Sequence, residues 1–116
     1  MMAEMWTIIS HIESPFMEEG SIIFEMQDSY WHLEADPYKI REVVNMPSYI
    51  VSDWLWANRK PLDEKTIESH IIRKEAEAKY DSMQAKPGSP SLILESLRAL
   101  KRDLLIGLVL RNDSEE

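Results

Sequence analysis

A chain of 116 residues, 44% apolar and 29% charged, is long enough to bury one core and lies outside the low-hydrophobicity, high-charge regime of disordered chains. Its lack of cysteine excludes a disulfide framework and a thiolate metal site and suits a cytoplasmic protein. The net charge of −8 is uneven: residues 1–36 hold eight acids and no Lys or Arg, while residues 37–116 hold 13 of each sign. That distribution argues against phosphate binding over the whole surface, and favours a basic protein partner or plain solubility for the acidic third.

The opening MMAEMWTIISHIESP has neither a basic n-region nor a long apolar core, so no signal peptide is expected. Met5, Ile8, Ile9 and Ile12 recur at helical spacing. With Trp6 and Thr7 the same stretch also suits a strand; the spacing predicts a helix. Ser14–Pro15, Asp36–Pro37 and Ser89–Pro90 each put an N-cap residue before a proline preorganised for the first helical position, predicting three helix starts. Over 15–35, Phe16, Ile23, Met26, Tyr30 and Leu33 keep a three-or-four step, which predicts a second acidic helix.

After Pro61, the acids Asp63 and Glu64 suit a first helical turn, and Ile67, Ile71 or Ile72, Ala76 and Met83 trace one stripe of a long helix over 62–84. KPGSP at 86–90 breaks it. Ile93, Leu97, Leu100, Leu104 and Leu108 then mark a C-terminal helix over 90–111, followed by a disordered tail, 112–116. Its stretch LLIGLVL is apolar on every side, as in a helix buried by its own domain or by a partner, and is the candidate surface for a homodimer. Charges at Glu95, Arg98, Lys101, Arg102 and Asp103 interrupt 92–110, so no membrane span is expected. The expected fold is all-α: a single domain, 1–111, of about six helices.

Chemistry-bearing motifs are absent. His11, His32 and His70 fall on three different elements, with no HExxH or ExxH pair, so no metal is assigned. Gly20, Gly88 and Gly107 are too scattered for a phosphate loop. The acid pairs Glu18–Glu19 and Asp63–Glu64 sit where first helical turns put them, and Glu68, Glu75 and Glu77 share a helix with Arg73, Lys74 and Lys79. No catalytic residue, cofactor or enzymatic activity is expected.

The stretch from Asp36, DPYKIREVVNMPSYIVSDWLWANRKP, is the most informative. Asp36–Pro37 opens a helix with Ile40, Val43 and Val44 inward; Asn45 tolerates the left-handed conformation of a sharp turn; Met46 can plug that turn. Pro47 or Ser48 begins a second helix with Val51, Trp54 and Leu55 inward. Over 37–61 this resembles the helix-turn-helix of phage-repressor type. Ile40 and Val44 match its apolar positions, Asn45 its turn glycine, Met46 its turn valine, Val51, Ser52 and Trp54 its second helix, and NRKP at 58–61 its basic tail. Arg41 departs from it, standing where the family keeps a small residue because the helices cross closely there, and Asp53 and the acidic first third would repel phosphates. The resemblance implies a small DNA-binding regulator, phage- or mobile-element-encoded, on double-stranded DNA. Ser48, Tyr49 and Ser52 would face base edges, and Lys39, Arg59 and Lys60 would hold phosphates.

The same residues also fit a protein-binding surface. Residues two apart on a helix point about 200° from each other, so Trp54 and Trp56 cannot both be core. With Val51 and Trp54 inward, the outer face carries Tyr49, Ser52, Asp53, Trp56 and Lys60, an aromatic pair with a charged rim. On that alternative the chain is an acidic interaction adaptor, such as an assembly chaperone, antitoxin or inhibitor, docking on a basic partner through Tyr49, Asp53 and Trp56.

Overall fold

The computed structural model describes residues 5–13, 19–83 and 89–106. Three strands come first, β1 (Trp6–Ile12), β2 (Gly20–Met26) and β3 (Ser29–Ala35). Helices α1 (Pro37–Val44) and α2 (Ser48–Asn58) follow, then a two-residue strand β4 (Lys60–Pro61), and helices α3 (Glu64–Met83) and α4 (Ser89–Ile106). The strands form one antiparallel sheet in the order β1-β2-β3-β4. The fold is therefore α+β, and the all-α expectation of about six helices is overturned by residues 6–12, 20–26 and 29–35, which are strands. The proposed helix start at Ser14–Pro15 and the tail 112–116 lie outside the described residues.

Both misreadings have a physical cause. On β1 the register shifts between Ile8 and Ser10, making Ile9 an extra residue. Trp6 and Ile8 pair opposite Met26 and Phe24, but beyond the bulge Ser10 and Ile12 pair opposite Ile23 and Ser21, on the other face of the sheet. The switch of faces turns a period of two into the three-or-four step of a helix. In the hairpin, Ile23 and Tyr30 lie on one face and Met26 and Leu33 on the other, so a step of three or four arises from two strands folded back on each other. The connecting residues Gln27 and Asp28 have φ of 58° and 61°. Two consecutive left-handed residues are the requirement of a type I′ turn, usually met by Asn-Gly or Asp-Gly.

β2 is buried on both faces, Ile22, Phe24 and Met26 on one side and Ser21 and Ile23 on the other. It accordingly reads as a continuous apolar run, as doubly covered strands do. The core of this region joins Ile22, Phe24, Met26 and Leu33 of the sheet to Ile40 and Val43 of α1 and Val51 and Leu55 of α2. Trp6, Ile8, Trp31, Ala35 and Trp54 pack around it. Phe24 is fully buried, and its truncation to Ala would cost about 3–5 kcal/mol. Packing is close where α1 meets the sheet: a Cβ on Gly20 would lie 2.9 Å from Ile40 Cδ1.

The chain divides into two compact units, Met1–Pro61 and Leu62–Glu116, where its length suggests one. The second unit pairs α3 with α4. Asp63 opens α3 by accepting the Thr66 N–H at 2.7 Å. The buried stripe of α3 is Ile67, His70 and Lys74, while Ile72 and Ala76 of the expected stripe are exposed. On α4, Leu94, Leu97 and Leu100 are buried. Lys74 reaches Glu77 at 3.1 Å, and Arg98 and Lys101 of α4 bind Glu75 and Glu68 of α3 at 2.9 and 2.8 Å. Among the described residues no helix is long and apolar enough to cross a membrane.

Candidate functional site on α2

Over 37–61 the structure has two helices, α1 and α2, joined by three residues. Asp36 Oδ1 accepts the Tyr38 N–H at 2.8 Å, and Pro37 takes the first helical position. At the other end of α1, Asn45 has φ −94° and ψ 2°, not the left-handed conformation expected of a turn glycine's counterpart. Its amide Nδ2 donates to the Arg41 carbonyl at 2.9 Å, and the turn closes by Met46 N–H to the Val43 carbonyl at 2.9 Å. Met46 is exposed and does not plug the turn, and Val44 is exposed as well, leaving Ile40 and Val43 as the inward residues of α1. Arg41 points outward, ion-paired with Glu13 and 5.1 Å from the Tyr38 ring centroid, so it does not separate the helices.

The six residues expected to meet DNA have different surroundings. Ser52 is buried at 4% exposure, on the inner side of α2 with Val51 and Leu55. Ser48 accepts the indole N–H of Trp6 at 3.2 Å. Arg59 stacks on Trp56, its guanidinium carbon 3.5 Å from the ring centroid, with Trp31 at 4.9 Å on another side. It also donates to the Trp56 carbonyl at 2.7 Å. Lys60, in the edge strand β4, pairs with Glu34 at 3.2 Å. Lys39 and Tyr49 are exposed, and Lys39 is the one basic side chain of residues 1–61 without an internal partner among the described residues.

The outer face of α2 is shared by Tyr49, Asp53 and Trp56, spaced four and three apart and therefore aligned along one stripe. Tyr49 is 68% exposed and Trp56 36%. Trp56 is held edge-on to Trp31, with ring centroids 5.7 Å apart, and Trp31 in turn donates its indole N–H to the Met26 carbonyl at 3.0 Å. The exposed edge of Trp56 is thus presented by a braced aromatic-cation stack, while Trp54 packs against the core. Exposed Tyr38, Val44 and Met46 extend the apolar character of this segment.

Two networks escaped the search of the sequence, because both follow strand spacing. His11 and Glu13 lie 3.3 Å apart and His32 and Glu34 3.0 Å apart, each pair two residues apart in sequence. Each glutamate also takes a cation, Arg41 on Glu13 and Lys60 on Glu34. Glu13 so links β1 to α1, and Glu34 links β3 to β4. A search for His-x-Glu at strand period would have found both. Among the described residues there is no cluster of three His, Asp or Glu side chains able to hold a metal.

Comparison with protein-family models, with curated proteins and with solved structures gives no match for this chain.

Proposed function

We propose that the chain is a small acidic interaction adaptor of the cytoplasm, docking on a basic protein partner through the Tyr49, Asp53 and Trp56 face of α2. The observation that carries this reading is the fate of the basic side chains. Residues 1–61 contain ten acids against Lys39, Arg41, Arg59 and Lys60. Arg41 and Lys60 are spent on Glu13 and Glu34, and Arg59 on the tryptophans. DNA affinity comes largely from neutralised phosphates, and in residues 1–61 Lys39 is the one Lys or Arg left for that task among the described residues. An aromatic pair flanking an exposed carboxylate, on a unit with excess negative charge, has the composition of a contact for a basic surface.

The outward Arg41 and the two-helix unit favour the helix-turn-helix reading, and one experiment separates the two. The chain is passed at low salt over immobilised duplex DNA, and, tagged, used to isolate its partner from cells of its source. The expected result is flow-through on DNA and recovery of a basic protein by the wild type, lost with Tyr49→Ala combined with Asp53→Lys. Salt-sensitive retention on DNA, reduced by Lys39→Ala, would overturn the proposal in favour of the regulator.

A further inference from the structure

The outward face of α4 carries a pattern that the fold of a single chain leaves unused. The buried side of the helix is Leu94, Leu97 and Leu100. Of its other charges, Arg98 and Lys101 turn to Glu75 and Glu68 on α3. Opposite the buried leucines, and beside Arg98 and Lys101, lies a second stripe, Leu92, Glu95, Ala99, Arg102 and Ile106, with steps of three, four, three and four, whose Arg102 and Ile106 also border a shallow groove with Ile71 and Glu75 of α3. At about 100° per residue these five positions fall within an arc of about 80°. Leu92 and Ile106 are 68% and 63% exposed. Glu95 and Arg102 are exposed and have no partner among the described residues.

We propose that this stripe is the seam of a homodimer, in which α4 packs antiparallel on α4 of a second copy about a twofold axis through Ala99. The stripe is complementary to its own reverse. Leu92 and Ile106 each stand two turns from Ala99, so reversal brings Leu92 of one copy against Ile106 of the other. Glu95 stands four residues before Ala99 and Arg102 three after, so reversal brings each carboxylate to within one residue's rise, about 1.5 Å along the axis, of a guanidinium, twice per dimer. A small residue at the crossing lets two helices approach to about 8 Å. The three-four step is that of a coiled-coil seam, which holds two helices in register along its length. A parallel arrangement would set Glu95 against Glu95 and Arg102 against Arg102, so the charges choose the antiparallel one. Contacts of this kind, identical patches related by a twofold axis, are the commonest mode of self-association. This seam lies on a different side of α4 from the buried leucines, and it is independent of what α2 binds.

The test measures the mass of the full chain by sedimentation equilibrium over a range of concentrations. The wild type is expected to move from 13.6 kDa towards twice that mass. Glu95→Arg alone and Arg102→Glu alone should each weaken the dimer roughly tenfold, since two symmetry-related pairs change from attraction to repulsion. The double exchange, Glu95→Arg with Arg102→Glu, should restore it, which loss of folding could not do. Because the chain has no cysteine, Ala99→Cys supplies a second measurement: a short thiol cross-linker should join two copies through position 99. The same reagent should fail with Leu92→Cys, whose two sulfurs would lie about 20 Å apart. A wild type that stays monomeric, a dimer indifferent to the single reversals, or efficient cross-linking at position 92 but not 99 would overturn the proposal.

Discussion

The guanidinium carbon of Arg59 stands 3.5 Å from the ring centroid of Trp56, closer than any other cation-ring approach found among the described residues. The contact holds the C-terminal end of α2 where β4 begins. Through Lys60 and its pairing with Glu34 it also fixes the edge beside β3. A positive charge over an indole is worth about 0.5–2 kcal/mol, the upper end applying where water is excluded. Arg59→Ala should therefore lower stability by about 1–2 kcal/mol. Arg59→Lys should recover only part of that, because an ammonium cannot stack as a plane on the ring. Urea denaturation followed by tryptophan emission gives both values, and equal midpoints for wild type and Arg59→Ala would show the stack to be incidental.

The turn joining β2 to β3 holds Gln27 and Asp28 at positive φ, a conformation that L-residues with a Cβ occupy at a cost of about 1–2 kcal/mol each. Gln27→Asn with Asp28→Gly, the sequence preferred by this turn, should raise stability by about 1 kcal/mol without altering the register. The opposite change, Gln27→Val, puts a β-branched side chain in the left-handed region and should destabilise the hairpin. A thermal midpoint unmoved by the first pair of substitutions would mean that the turn relaxes to another type.

Lys101 is held above its ordinary value of 10.5, first by its hydrogen bond to Glu68, which outweighs the opposing effect of desolvation, and then by the charges of Glu68 and Glu64. A lysine whose folded pKa is raised contributes stability that is fully present below its unfolded value and is lost as pH rises through the folded one. The second unit should consequently lose this contribution above pH 10.5. Replacing Glu68 with Gln should remove the effect, and the pH at which the Lys101 Nζ resonance titrates in NMR spectra should then fall. An unchanged titration would assign the shift to something other than Glu68.

Legibility from sequence varied with how local the physics was. Asp36–Pro37 marks a helix start through a bond to Tyr38, two positions on, and that start stands where it was expected, while Asp63, expected within the first turn of a helix from residue 62, instead caps one that begins at Glu64. The Ser89–Pro90 helix start likewise stands, as the first residues of α4, and residues 84–88 lie outside the described residues. The strands were hidden because their cues are relational. Ile9 becomes a bulge only opposite β2, and Ile22, Ile23 and Phe24 form an unbroken apolar run because both faces of β2 are covered. A turn of Gln27 and Asp28 carries no glycine to announce it. On α2 the inward set Val51, Leu55 and the outward Tyr49 and Trp56 follow from helical period alone. The contacts of Arg59 with Trp31 and of Lys60 with Glu34 did not, since Trp31 and Glu34 are more than 25 residues away and come into reach only when β3 is paired.

The placement of the tryptophans makes the molecule its own instrument. Trp6, Trp31, Trp54 and Trp56 all precede the boundary at Pro61, and the second unit has none. Indole emission therefore watches one unit alone, while far-ultraviolet ellipticity is weighted to the long helices α3 and α4 of the other. Two optical channels recorded in one titration would tell whether the chain melts once or twice, since coincident curves are the mark of a single cooperative transition.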